Sequence, residues 1–235
     1  MTNPADPEPT GRTTRKRART PAEHLRRADP VLAAIMDEVV HAAGGVEPTV
    51  PPDPNSPGDP TIPSDHYGVL VRAIVSQNIS NFASRAIFQR LSERFGGRPP
   101  TPEEVLAEDP DELRQAAGLS RAKTASLRSL AEHVISGELD LARLHELPDE
   151  EVVTQLSAVR GIGTWTADMF LMFHLYRPDV LPVGDLELRN TVARVYGRPK
   201  PPTPAELERL AEPWRPYRTL ACVYLWQWAE QTPRG

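Results

Sequence analysis

The chain has 235 residues and a formal net charge of −5, with 27 Lys and Arg against 32 Asp and Glu. This length suffices for one sizeable core or for two packed lobes. The single cysteine, Cys222, excludes an internal disulfide and any zinc or iron–sulfur site built from several cysteines. Because no apolar run has the length of a membrane span and no signal-peptide pattern opens the chain, we expect a cytoplasmic protein with no membrane partner.

The N-terminal segment differs in composition from the rest of the chain. It is rich in Pro, Thr and Arg and poor in large apolar residues, and residues 1–27 carry a net charge of +4. This composition predicts a disordered basic tail over residues 1–28. The tail is either simply solvated or weakly tethered to phosphates. The negative charge of the whole chain, by itself, is not typical of a nucleic-acid binder.

Helix-start signals dominate the chain from Asp29 onward. Asp29 precedes a proline and can cap a helix whose apolar residues recur at helical spacing until Gly44. Thr101 and Thr203 each open a capping box with proline at the first helical position, and Asp109 precedes another proline. No stretch alternates as a half-buried strand would. We therefore predict an all-α fold of nine or ten helices.

A helical hairpin is predicted over residues 156–168, which read LSAVRGIGTWTAD. An apolar helix runs into Gly161, Ile162 and Gly163, and a second helix begins at once with Thr164 as its expected cap. Two glycines permit a tight turn and the close approach of a DNA backbone. Free N–H groups at the start of the second helix can hold a phosphate. These four residues are candidate DNA-binding residues, with an ordinary structural turn as the alternative.

This segment resembles the helix–hairpin–helix signature of the base-excision DNA glycosylases, in which a Gly/Pro-rich loop ending in an essential aspartate follows the hairpin. That loop reads LPVGDL over residues 181–186. The resemblance spans residues 29–230 and points to the 3-methyladenine DNA glycosylase II branch, in a short form without the N-terminal β domain. It implies one domain over 29–235 with two helical lobes and an active-site cleft between them. Lobe one covers about 65–176, and lobe two is formed by 29–45 and 185–230.

The activity that the resemblance implies is base-excision repair. Such an enzyme flips alkylated purines of the 3-methyladenine and 7-methylguanine type out of double-stranded DNA and hydrolyses the N-glycosidic bond. Relatives that also cut the backbone carry a catalytic lysine where this chain has Trp165, and their four-cysteine cluster is missing here. We therefore expect a monofunctional enzyme without lyase activity. We also expect a monomer that associates with the nucleoid through DNA.

Asp185 is the implied catalytic residue. A carboxylate there would stabilise positive charge on the sugar and orient the attacking water. Asp185 could instead cap the helix that begins at Leu186, and the two roles can coexist. Trp165 and Trp226 are implied to stack on a cationic base, with ordinary core packing as the alternative. Met169 replaces a tyrosine found in a bacterial relative, a departure that would reshape the pocket.

The resemblance also implies how the gap in the duplex is filled. Gln77 and Asn78 lie at the turn that enters the stack, although they could simply end a helix with polar side chains. Relatives hold a sodium or potassium ion on backbone carbonyls that match Ser157, Val159 and Ile162, and no other cofactor is expected.

Two alternatives to this activity remain open. A glycosylase of the same fold could act on another lesion, such as an etheno- or deaminated purine. A DNA-binding module could have kept the hairpin and lost the chemistry. The presence of Asp185 together with Trp165 favours an enzyme. We interpret Asp168 and His174 as structural.

Overall fold

The computed structural model describes residues 20–50 and 63–232. Over these ranges it contains twelve α-helices, 3₁₀ helices at Leu141–Arg143 and Glu212–Trp214, and no strand. The α-helices are α1 (Pro21–Ala28), α2 (Pro30–Ala42), α3 (His66–Ser76), α4 (Asn81–Arg94), α5 (Pro102–Ala107), α6 (Pro110–Ala117), α7 (Arg121–Ser136), α8 (Asp149–Ala158), α9 (Thr164–Phe173), α10 (Leu186–Val195), α11 (Pro204–Ala211) and α12 (Arg218–Gln231). The all-α prediction is confirmed, but the predicted number of helices is too low.

Proline-led caps begin several of these helices as predicted. Thr101 and Glu104 form a complete capping box at α5, and Thr203 and Glu206 do the same at α11. The Asp109 carboxylate accepts hydrogen bonds from the first N–H groups of α6. In the described ranges, five of the 26 prolines therefore start α-helices rather than interrupt them.

Helix α1 lies inside the segment predicted to be disordered. Thr20 and Glu23 form a capping box around Pro21, and Leu25 is fully buried in the core. The prediction of disorder, and of a fold that begins only at Asp29, is therefore wrong for residues 20–28. A local helix-start signal and one buried leucine outweigh the charged composition there. Residues 1–19 lie outside the described residues.

The helices pack as two groups. Helices α3 to α7 contact one another, and α8 packs on α9. The other group joins α1 and α2 to α10, α12 and the Glu212–Trp214 turn, with α2 packed against α12. A buried Asp29 links the two chain ends within this second group: it accepts hydrogen bonds from the Trp214 indole at 2.9 Å and from the Tyr196 hydroxyl. The second lobe is thus built from chain segments that precede and follow the first lobe in the sequence.

Within the described ranges, no helix combines the length and the apolar character needed to cross a membrane.

Candidate active site

The hairpin between α8 and α9 depends on Gly161. Its φ of +80° lies in the left-handed region that favours glycine. A Cβ at this position would lie 2.2 Å from the Oγ of Ser126 on α7. Gly161 is therefore required both by the backbone conformation and by the close approach of α7. The turn itself is closed by a hydrogen bond from the Ile162 N–H to the Val159 carbonyl at 3.0 Å.

The hairpin presents backbone rather than side chains to solvent. Gly163, not Thr164, is the N-cap of α9, and no side chain caps this helix, so the predicted cap role of Thr164 is wrong. The Ile162 side chain is buried, whereas a Cβ added to Gly163 would meet nothing within 4 Å. The first N–H groups of an α-helix have no partner within the helix. Those of α9 therefore face an open surface from which a phosphate could approach.

A second segment, the turn Gln77–Ile79, is fastened to this hairpin. The Gln77 amide nitrogen donates to the Gly161 carbonyl at 2.9 Å and to the Thr166 hydroxyl at 3.4 Å. Asn78 follows with a φ of +56° in the left-handed region, which asparagine tolerates better than most residues. The predicted end of helix α3 and the predicted DNA-facing turn therefore coincide.

A cleft of about 640 Å³ lies between α3, this turn and α9. The residues that line it are Ala73, Ser76, Gln77, Asn78, Ile79, Trp165, Thr166 and Met169. An adjoining groove of about 240 Å³ shares part of this wall and extends along α9 to Phe173. All of these residues belong to the first lobe. Asp185 is not among them, and its link to the cleft is a hydrogen bond to Trp165.

Helix α9 supplies one wall through a stripe at four-residue spacing. Trp165, Met169 and Phe173 follow one another along the same helix face, and Trp165 and Phe173 are each 46% exposed. Phe173 is a lining residue that was not predicted from the sequence, although its four-residue spacing from Met169 was a usable signal. Trp226 is not among the residues that line the cleft. It is partly buried against the core, and its ring centroid lies 6.2 Å from that of Phe173.

The Asp185 carboxylate is held by one donor on each oxygen. Oδ1 accepts the backbone N–H of Leu188 at 2.6 Å and so caps α10, which confirms the cap prediction. Oδ2 accepts the indole N–H of Trp165 at 2.6 Å. The side chain is 9% exposed. Two residues to which the resemblance assigns different roles, one in chemistry and one in base stacking, are therefore in direct contact.

The loop that carries Asp185 is anchored to the start of α12. The Thr219 hydroxyl donates to the Arg177 carbonyl at 2.7 Å and accepts the Val180 N–H at 3.0 Å. The Arg218 guanidinium donates to the Asp179 carboxylate at 2.8 Å. These buried and partly buried contacts fix the entry of the loop, so the position of Asp185 rests on a rigid support.

Two further groups with shifted pKa values lie outside the main cleft. Burial raises the pKa of Asp168 to about 6, and this side chain lines a separate depression near Asp179. His66 and His174 lie with their ring nitrogens 2.6 Å apart, and burial lowers the pKa of each. Neither arrangement meets Asp185, and neither conflicts with a structural interpretation.

The alkali-ion site predicted at the hairpin would use the carbonyls of Ser157, Val159 and Ile162. The Val159 carbonyl already accepts the Ile162 N–H, which leaves it one lone pair for an ion. Over residues 20–50 and 63–232, no group of three or more His, Cys, Asp or Glu side chains is arranged to hold a metal. The backbone site stays a prediction.

An uncapped helix after a Gly-Ile-Gly turn, a neighbouring helix end fastened to it, and a buried carboxylate bonded to a tryptophan of the cleft are together the arrangement of a helix–hairpin–helix protein. Comparisons with known proteins agree. The model of the HhH-GPD superfamily of base excision DNA repair proteins matches residues 71–216. DNA-3-methyladenine glycosylase 1 of Schizosaccharomyces pombe is 41% identical over 163 residues, which cover 68% of this chain and 71% of that protein.

Solved structures give the same result. The fission-yeast 3-methyladenine DNA glycosylase in complex with abasic DNA superposes with a TM-score of 0.72 at 33% identity, covering 92% of this chain and 98% of that one. A DNA-3-methyladenine glycosidase from Bacillus halodurans gives 0.72 at 32% identity, covering 92% and 91%. The chain belongs to the HhH-GPD superfamily of base excision DNA repair proteins. The predicted helix–hairpin–helix fold is confirmed, and DNA is the partner that this family implies.

Proposed function

We propose that the protein is a monofunctional DNA glycosylase that extrudes alkylated purines of the 3-methyladenine and 7-methylguanine type and hydrolyses their N-glycosidic bond. The observation that carries this proposal is the contact between Trp165 and Asp185. It puts a carboxylate in direct contact with a half-exposed aromatic side chain that lines the cleft. Relatives named as 3-methyladenine glycosylases support the choice of substrate.

DNA binding is compatible with the acidic composition because the helix ends around the cleft are locally favourable. Helices α4, α7 and α9 have no acidic residue in their first turns, in contrast to α5, α6 and α8. Their N-termini lie close together: α4 follows the turn Gln77–Ile79, and Lys123 of α7 donates to the Val75 carbonyl at the end of α3 at 2.7 Å. Partial positive charge at helix N-termini attracts phosphates without a basic surface.

Extrusion of a nucleotide leaves a gap that the turn is placed to fill. Asn78 is exposed at the edge of the cleft, and its backbone is held by the Gln77 contact with the hairpin. Removal of a base from the stack costs a few kcal/mol, and less at a damaged pair. In this proposal Asn78 occupies the gap, while the adjoining hairpin holds the phosphate.

Hydrolysis places its demand on Asp185. As the glycosidic bond breaks, positive charge develops on the sugar ring, and a fixed carboxylate stabilises it. Each carboxylate oxygen has two acceptor sites, and each is used only once here. The remaining sites can orient the attacking water.

Selectivity for an alkylated purine follows from stacking. Such a base carries positive charge and is already a good leaving group. The accessible face of Trp165 can attract it by roughly 0.5–2 kcal/mol. Met169 and Phe173 continue this wall with apolar surface. Trp226 lies next to Phe173 but does not line the wall itself.

Lyase chemistry would need an amine at the cleft. Lys123 and Lys200 are the two lysines in the described ranges, and neither lines the cleft. Lys123 is engaged with the Val75 carbonyl. Trp165, at the position of the lysine in lyase relatives, cannot form a Schiff base.

The test is single-turnover excision from a duplex that contains one 7-methylguanine or 3-methyladenine, analysed with and without alkali. We expect strand breaks only after alkali, since base removal leaves an intact backbone. Breakage without alkali would contradict the monofunctional mechanism. Binding without excision would favour another lesion, to be sought with etheno- and deaminated purines, or a non-catalytic module.

A monomeric state, a nucleoid location and the hairpin alkali ion belong to this proposal as well.

A further inference from the structure

Phe82 is the most exposed large apolar side chain in the described part of the chain, with 86% of its surface accessible. It lies in the first turn of α4, four residues after Asn78. Its neighbour along the turn, Ile79, is 36% exposed and lines the cleft. Adjacent exposed apolar side chains at the edge of a binding cleft indicate a contact that the folded chain does not itself supply.

The direction of Phe82 follows from the packing of α4. Ser84 is buried against α3, where its hydroxyl lies 2.5 Å from that of Ser76. Residues two apart on an α-helix project from nearly opposite faces. Phe82 therefore points away from α3. It is not among the residues that line the cleft, the pocket that would take the extruded nucleotide.

We propose that Phe82 stacks on the base that loses its partner when the damaged nucleotide leaves the duplex. This inference rests on the proposed function, because it needs the turn to enter the gap. Four residues span at most about 14 Å, which corresponds to about four base steps of 3.4 Å. Phe82 therefore lies no farther from Asn78 than about four base steps, within the stretch of duplex that flanks the gap.

Stacking suits this role because every base offers a π-face to an aromatic ring. The first turn of α4 also has no acidic side chain to repel the strand. Asn78 would then contact the gap, and Phe82 would contact the base that has lost its partner. Phe82 would then make binding sensitive to the base opposite the lesion.

The experiment is a double-mutant cycle that combines substitution of Phe82 with removal of the base opposite the gap. The Kd of each combination is measured by fluorescence anisotropy with the full chain. One duplex has a tetrahydrofuran abasic analogue opposite guanine, and a second has the same analogue on both strands. We expect the wild type to bind the guanine duplex about tenfold more tightly than the other, a difference of about 1.4 kcal/mol. Phe82→Ala should bind both duplexes equally, and Phe82→Trp should restore the preference.

Ile135→Ala is the matched control. Ile135 is 48% exposed near the end of α7, about 21 Å along the helix axis from Arg121. This variant also removes an exposed apolar side chain, and it should keep the wild-type preference.

Three results would overturn the inference: equal weakening of both duplexes by Phe82→Ala, a preference that survives this substitution, or a wild type that does not bind the abasic duplexes. Excision of an alkylated purine by the wild type tests the proposed function separately. Excision without the preference refutes only the role of Phe82. The preference without excision supports that role and refutes the proposed activity.

Discussion

Asp29 and Asp185 occupy two regions of the molecule that are built in the same way. Each carboxylate is 9% exposed, caps a helix through Oδ1 and accepts an indole N–H through Oδ2. The two tryptophans differ. Trp214, the donor to Asp29, is fully buried, whereas Trp165, the donor to Asp185, is 46% exposed at the cleft.

The number of donors separates the two sites more clearly than burial does. Asp29 accepts hydrogen bonds from two backbone amides, from Trp214 and from Tyr196, which fills the four acceptor sites of a carboxylate. Asp185 accepts two and keeps two. Asp29 is therefore a fully hydrogen-bonded structural group, whereas Asp185 retains two acceptor sites for water or substrate.

The largest expected effect comes from Asp185→Asn. Asparagine is a good N-cap, so the fold should be kept, while the negative charge at the sugar is lost. We expect the single-turnover excision rate to fall by roughly 10²–10⁴ with little change in DNA affinity. Thermal unfolding of the same preparation is the control, and a rate equal to that of the wild type would refute the catalytic role.

The converse change is Asp29→Ala, which should affect stability rather than chemistry. It removes a cap and leaves the Trp214 and Tyr196 donors without their partner, at a combined cost of roughly 3 kcal/mol in the free energy of unfolding. Urea unfolding measures this loss. Under conditions where the variant is folded, its excision rate should stay within about twofold of the wild type.

Acid sharpens the same comparison. Burial opposes ionisation of Asp29, but hydrogen bonds from Tyr196, Trp214 and the backbone outweigh it and lower the pKa of Asp29 below its ordinary value. Its stabilisation is therefore present above about pH 4 and is lost as the pH falls through the lower folded-state pKa. The gap in stability between wild type and Asp29→Ala should narrow in that range.

Much of this architecture could be predicted from local sequence. Proline-led capping boxes at Thr101 and Thr203 mark real helix starts, and the Gly-Ile-Gly turn with the later aspartate predicted the helix–hairpin–helix fold. Thr20 carries the same capping signal, but the charged composition around it hid that helix. Two features could not be predicted: the contact of Trp165 with Asp185, and the presence of Phe173 instead of Trp226 in the wall along α9. They depend on how α9, α10 and α12 meet, which no local pattern specifies.

Trp165→Phe isolates the shared indole. Phenylalanine keeps an aromatic face for stacking but cannot donate to Asp185. We expect the single-turnover rate to fall about tenfold, since a hydrogen bond to a charged group is lost, while DNA affinity changes little. Trp214→Phe is the matched control and should lower stability without this effect on the rate. Wild-type activity in Trp165→Phe would mean that the contact does not position Asp185.

Asp168 is a third carboxyl group to compare with Asp29 and Asp185, and its substitution should have the smallest of these effects. Burial raises the pKa of its carboxyl to about 6, so ionisation of this group destabilises the folded state as the pH rises through 6. Asp168→Asn should therefore raise the free energy of unfolding at pH 8 by roughly 1 kcal/mol after allowance for solvent screening, and the melting temperature should rise with it. The gain should disappear below about pH 4. A gain that is independent of pH would point to packing instead of charge.

Gln77 has a consequence for the thermodynamics of recognition. Its side chain joins two segments, 84 residues apart in the chain, that the proposed function assigns to DNA binding. The conformational entropy of bringing them together is lost once, during folding, and not again at each encounter with a lesion. The duplex then meets a preorganised template in which the turn and the hairpin act as one unit. Substitutions in the two segments should consequently have non-additive effects on affinity.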